Sequence, residues 1–287
     1  MRAKKSLGQN FLVDPNLQRK IVEAVDAGPD DTVIEIGPGH GALTDLLAEA
    51  AGRLVAVELD DRLAEALERR YRTEPAVTIV HADILEWEPG GVLHADRLKV
   101  IGNIPYNITS PLLFRALEWR PRPERVVVMV QREVADRILA EPGEKAYGAL
   151  TVGLRAAADV RRLFHVGRGA FRPVPNVDST VIEIRPRTEP AGERGAGGAD
   201  TVPGPEPVPP ETLRALTRAA FGLRRKQLQK ILRTAPGYGL PSEAAEAVLA
   251  EVDVDPRARP ETLAPDTFVA LAAALARRGY PRGDGPG

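Results

Sequence analysis

The chain has 287 residues, enough for one large domain with a smaller one beside it, and its 43% hydrophobic content supplies a core. Zero cysteines exclude disulfides, thiolate zinc sites and cysteine nucleophiles, and four scattered histidines offer no metal-ligand spacing, so no metal is expected. A net charge of −1 excludes a uniformly basic surface, and no apolar run approaches membrane-spanning length, so a soluble cytoplasmic protein is expected.

The first clear run, Thr32-Val33-Ile34-Glu35-Ile36, breaks into the glycine turn Gly37-Pro38-Gly39-His40-Gly41. Helical spacing follows at Leu43, Leu46, Leu47 and Ala50. Glycines here let the backbone come close to a ligand. Gly41 falls one position too early for a dinucleotide fingerprint, and no Lys-Ser/Thr follows to make a P-loop. The next run, Leu54-Val55-Ala56-Val57, ends in Glu58, where nucleoside-binding α/β folds keep an acid for ribose hydroxyls. Val77-Thr78-Ile79-Val80 then leads to Asp83. Taken singly, either carboxylate reads as an ordinary solvated turn residue.

The run Leu98-Lys99-Val100-Ile101-Gly102 delivers Asn103-Ile104-Pro105-Tyr106. The Asn103 amide oxygen and a carbonyl held by Pro105 suit the two N–H bonds of an exocyclic amine, and Tyr106 suits the face of a base. Pro105 stiffens the turn in advance. Alone, the tetrapeptide reads equally as a strand-ending turn with a half-buried Tyr. Yet Gly37, Glu58, Asp83 and Asn103 stand at the carboxyl ends of successive strands, the edge where open parallel sheets bind ligands.

Further strand-like runs are Val126–Val130 and Thr180–Ile184, the latter expected to close the sheet. Residues 188–210 are rich in Gly, Pro and Ala and read as a flexible linker. Helices are expected over 211–222, 225–234, 242–251 and 265–278. The predicted organisation is a 1–187 catalytic domain, the 188–210 linker and a 211–287 helical domain. The fold class is α/β, a Rossmann-like parallel-dominated sheet with a small all-helical appendage.

Cations gather in three stretches, 1–20, 155–172 and 211–233, which points to local phosphate contact rather than a general coat. Any one stretch reads equally as a solvated helix face. Arg224, Arg225 and Lys226, followed by Lys230 and Arg233, are expected along one side of a helix as RNA contacts.

The Glu35-x-Gly37-x-Gly39-x-Gly41 turn, Glu58, Asp83 and Asn103–Tyr106 together resemble S-adenosylmethionine-dependent methyltransferases acting on adenine N6. More narrowly, Lys5-Ser6-Leu7-Gly8-Gln9-Asn10-Phe11-Leu12, Lys145-Ala146-Tyr147-Gly148, Phe171-Arg172-Pro173-Val174-Pro175-Asn176-Val177-Asp178-Ser179 and Ala220–Lys226 resemble the KsgA-type small-subunit rRNA adenine dimethyltransferases. The likeness spans nearly the whole chain outside 188–210 and the extreme C-terminus.

That resemblance implies a seven-stranded sheet with one antiparallel strand near its end, and S-adenosyl-L-methionine as cofactor. It implies Asn10 and Leu12 at the methionine end, with Gln9 and Phe11 as neighbours. Gly37 and Gly39 would approach methionine and ribose, Glu58 the ribose hydroxyls, and Asp83 the cofactor's adenine amine. Asn103 would serve cofactor and substrate. Asn103, Pro105 and Tyr106 would hold the target base, with Phe171 over its other face, though Phe171 beside Pro173 also reads as core. The implied partner is small-subunit rRNA in a pre-30S particle, with two neighbouring adenines near the 3′ end dimethylated by a monomer. Competing readings are the resistance-type enzyme acting on large-subunit rRNA and an assembly factor with a mainly binding role.

Overall fold

The structure of the protein, a computed structural model, describes residues 10–89, 97–105, 108–187 and 208–281. Tyr106, residues 5–9 of the N-terminal signature (Gln9 among them) and 188–207 of the expected linker lie outside the described residues.

The first helix, α1 (Pro15–Val25), follows a two-residue strand, β1 (Phe11–Leu12). Asp14 caps the helix, its Oδ1 accepting from the Asn16 and Leu17 amides at 2.9 and 3.2 Å. Strand and helix then alternate through β2 (Thr32–Ile36), α2 (Thr44–Ala50), β3 (Arg53–Glu58), α3 (Asp61–Arg70), β4 (Val77–His81), β5 (Leu98–Asn103), α4 (Thr109–Glu118), β6 (Arg125–Gln131) and α5 (Arg132–Leu139). All five β2 residues are buried, as a central parallel strand covered on both faces requires.

After α6 (Ala149–Arg155) come β7 (Ala158–Val166), β8 (Phe171–Arg172) and β9 (Ser179–Pro186). The main sheet has seven strands in the order β4-β3-β2-β5-β6-β9-β7, and β9 runs antiparallel to both its neighbours. The sequence reading had Thr180–Ile184 closing the sheet; instead β9 lies one place in and β7 takes the edge. Arg161, Arg162 and His165 break the apolar pattern of β7, and its ladder shifts register between Arg162 and Phe164. Charge and a bulge are what an edge strand tolerates and a sequence scan overlooks.

From β2 the chain steps outward through β3 to β4, then returns to β5 on the other side of β2. That reversal opens a crevice at the carboxyl ends of β2 and β5. At the opposite end of these strands, Lys99 and Asp31 form a buried ion pair at 2.7 Å. Burial opposes the Asp31 charge, but the Lys99 ammonium holds its carboxyl below the usual range.

The chain forms two compact units, Met1–Ala135 with Ala158–Pro186, and Asp136–Ala157 with Arg187–Gly287. Residues 136–157 therefore pack with the C-terminal helices, whereas the sequence reading grouped them with the first domain. Those helices are α7 (Pro210–Gly222), α8 (Leu228–Thr234), α9 (Ser242–Glu251) and α10 (Pro265–Ala276). Tyr147, fully buried, joins Val152 to a core with Leu216, Ile231 and Phe268, and its hydroxyl donates to the Leu263 carbonyl at 2.6 Å. Burial pushes the Tyr147 phenol up to about 12, so it stays a donor. The helix expected over 225–234 begins only at Leu228, because the Leu228 and Gln229 amides donate to the carbonyls of Ala258 and Pro256 instead of continuing a turn backward.

Candidate active site

The sheet order sets Asp83, Glu58, Gly37 and Asn103 side by side, since each follows or ends one of the adjacent strands β4, β3, β2 and β5. Gly37, Gly39 and Gly41 have φ of 64, 60 and 84°, the left-handed region that a side chain resists. At Gly39 a Cβ would also lie 3.0 Å from two Phe11 ring carbons. The turn thus needs glycine for its shape and for the passage of Phe11 across it. Phe11 also meets His40, with ring centroids 4.3 Å apart.

Glu58 is 5% exposed and holds this turn. Its Oε2 accepts from the Gly39 amide at 3.0 Å and its Oε1 from the Asp60 amide at 2.9 Å. A carboxylate has about four acceptor sites, so capacity for further donors remains. Glu35 lies deeper, with Thr44 Oγ1 donating to its Oε2 at 2.6 Å. Burial, opposed by the Thr44 hydrogen bond and assisted by the charges of Glu58 and Asp45, pushes the Glu35 carboxyl up to about 8. At neutral pH it is mainly a protonated strut beneath the turn, not a second charge.

Asp83 is half-buried, its Oδ1 accepting from the Leu85 amide at 2.8 Å. Asn103 Nδ2 donates to the Asn10 carbonyl at 2.9 Å, which leaves Oδ1 as its acceptor. The Pro105 carbonyl is engaged by the Ile108 amide at 3.1 Å and Thr109 Oγ1 at 3.3 Å. It closes the entry into α4 rather than facing a base, so the candidate acceptor beside Asn103 becomes the Ile104 carbonyl.

β1 pairs antiparallel with β8, setting Phe11 opposite Arg172 and Leu12 opposite Phe171. Phe171 has 0% exposure and Leu12 5%, and both sit in one core cluster with Ile21, Val127 and Met129. Phe171 therefore stands here as a core residue, the alternative reading of the sequence; stacking on a base would first require its ring to be uncovered. Sequence reasoning passed over Leu59, an apolar side chain 49% exposed directly after Glu58. Its signal was an apolar residue just past a strand-ending acid.

Residues 1–197 match the family model described as ribosomal RNA adenine dimethylase. The chain belongs to the ribosomal RNA adenine dimethylase family. It is 44% identical over 278 residues to the ribosomal RNA small subunit methyltransferase A of Geobacter metallireducens, covering 96% of each chain. It is 41% identical to the protein of the same name from Streptomyces griseus, covering 95% of this chain and 89% of the relative. Among solved structures, a dimethyladenosine transferase from Plasmodium falciparum shares the fold, with a TM-score of 0.77, 24% identity and coverage of 94% of this chain and 98% of that one. The 23S rRNA methyltransferase ErmE is 29% identical with a TM-score of 0.66, covering 93% of this chain and 100% of that one.

In this dimethylase the three cations expected to bind RNA lie in a turn, not on a helix. Arg224 points its guanidinium inward, donating to the Lys145 and Glu144 carbonyls at 2.8 and 3.0 Å. It secures the Lys145–Gly148 segment within the helical unit. Arg225 and Lys226 are exposed.

Proposed function

We propose that this dimethylase transfers methyl groups from S-adenosyl-L-methionine to N6 of adenines in small-subunit rRNA within a pre-30S particle. The observation that carries this reading is the row of Asp83, Glu58, Gly37 and Asn103 along one sheet edge, in a family member whose relatives include proteins named as small-subunit methyltransferases.

The residues present fit an S-adenosylmethionine molecule. A Cβ at Gly37 would meet nothing within 4 Å, so the turn is open where a ligand needs close backbone approach. Glu58 retains acceptor capacity for ribose hydroxyls, Asp83 offers a carboxylate to an adenine amine, and Leu59, directly after Glu58, offers an exposed apolar side chain. When bound, the cofactor supplies an electrophilic methyl that the protein need not activate further.

What the chain must do is aim the nucleophile. The N6 lone pair is delocalised into the adenine ring. Asn103 Oδ1 and the Ile104 carbonyl accept its two N–H bonds and turn the lone pair outward. The same acceptors stabilise the positive charge that develops on nitrogen, and no side chain has to remove a proton before attack. Tyr106 stacks on the base, which enters unstacked from its RNA strand. Arg225 and Lys226 contact rRNA phosphates.

The test presents labelled S-adenosylmethionine with under-methylated 30S and 50S particles. Label appearing as dimethyladenosine in 30S RNA is expected. Label confined to 50S RNA would overturn the choice of substrate.

A further inference from the structure

Among the described residues, the large apolar side chains left exposed are Val13 at 46%, Leu59 at 49%, Val174 at 52% and Val177 at 42%. Leu59 belongs to the cofactor edge. The other three flank the β1–β8 pair at its two ends: Val13 follows β1, its amide donating to the Ala170 carbonyl at 2.8 Å, while Val174 and Val177 follow β8.

The segment that carries Val174 and Val177 adjoins the candidate active site. β1 is joined to Asn103 through the Asn10 carbonyl. The segment holding Val174 and Val177 ends at Ser179, which pairs with Gln131 at the end of β6, the strand beside Asn103. It therefore lies on the carboxyl edge, on the side away from Glu58 and Asp83.

Arg168 is exposed before the Phe171 turn, while Arg172, exposed after it, turns its Nη1 to the Gly169 and Phe171 carbonyls at 3.1 and 2.7 Å. The acids within 10–20 and 165–178 are Asp14 and Asp178, and each spends a carboxylate oxygen on a backbone amide.

We propose that this surface, with Val174 and Val177 at its centre and Arg168 at its rim, docks the unpaired nucleotides flanking the target adenine. Apolar side chains beside a guanidinium group match bare base faces and phosphates presented together, which a duplex does not offer. The proposal rests on the rRNA reading above and adds where the strand runs: from Asn103 across β8, away from the cofactor.

The test compares wild type with Val174→Ser/Val177→Ser and with Arg168→Ala. Readouts are affinity for a single-stranded adenine-containing oligoribonucleotide, affinity for 30S particles, methyl transfer to those particles, and cofactor affinity. The valine pair should weaken oligoribonucleotide and particle binding by roughly fivefold or more. Arg168→Ala should lower the salt slope by about one. Cofactor affinity and melting temperature should not move, since these side chains are exposed. Unchanged RNA affinity in both variants overturns the proposal, as does weakening seen with particles but not with the oligoribonucleotide, which would mark a protein contact. If wild type methylates no 30S RNA, it is the functional reading that fails.

Discussion

Asn103 and Asn10, 93 residues apart in sequence, meet through a 2.9 Å hydrogen bond from the Asn103 side-chain amide to the Asn10 carbonyl. The bond fixes which end of the amide is left over. With Nδ2 committed, only the oxygen remains to receive an amine, so the N-terminal strap sets the polarity of the acceptor.

Asn103→Ala should therefore reduce single-turnover methyl transfer by on the order of 10²-fold or more. Asn103→Asp should fail comparably, since a carboxylate facing the Asn10 carbonyl repels it. Transfer within a factor of about three of wild type in either variant would falsify the assigned role.

Glu58 is both a scaffold for the glycine turn and a candidate ribose ligand. Glu58→Ala should weaken S-adenosylmethionine binding by about 1–3 kcal/mol, read by titration calorimetry. Unchanged affinity removes Glu58 from the cofactor site.

Glu35 ties stability to pH. Its carboxyl is raised from an ordinary 4.5 to about 8, so between those values the folded protein holds a proton that the unfolded chain has released. Stability from this group is complete below about pH 4.5 and declines as pH rises through 8. Glu35→Gln removes that dependence while keeping an acceptor for Thr44. Its melting temperature relative to wild type should rise progressively from about pH 4.5 to 8 and level off above that. A constant difference across that range would show that Glu35 is already ionised.

The Lys99–Asp31 pair is nearly inaccessible, with side-chain exposures of 4% and 2%. Lys99→Ala leaves the buried Asp31 carboxylate with Arg97, 3.0 Å away, as its remaining cation and should cost about 1–3 kcal/mol in denaturant unfolding. Lys99→Met with Asp31→Leu should recover most of that loss. A double variant no more stable than the single would contradict this account.

Arg224 and its neighbours should separate cleanly. Arg225→Ala/Lys226→Ala should weaken 30S binding and lower its salt slope by about two, at unchanged melting temperature. Arg224→Ala should instead lower the melting temperature, because it frees the Glu144 and Lys145 carbonyls. A pure affinity loss from Arg224→Ala would return it to the RNA surface.

The residues alone determined the strand runs, the glycine turn and the row of groups at the strand ends. Those follow from local rules: alternation of strand and helix, β-branched runs, and turns that admit only glycine or proline. Tertiary structure decided what pairs across long separations, which leaves no local signature. Strand β7 hides its edge position behind arginines, and residues 136–157 join the helical unit only through contacts such as Tyr147 with Leu263. Arg224 looked like its exposed neighbours until carbonyls far back in the chain claimed it, and Phe171 became core only because β1 lies beside it. A side chain's type is written in the sequence, but whether it faces solvent, ligand or core depends on which distant segment folds against it.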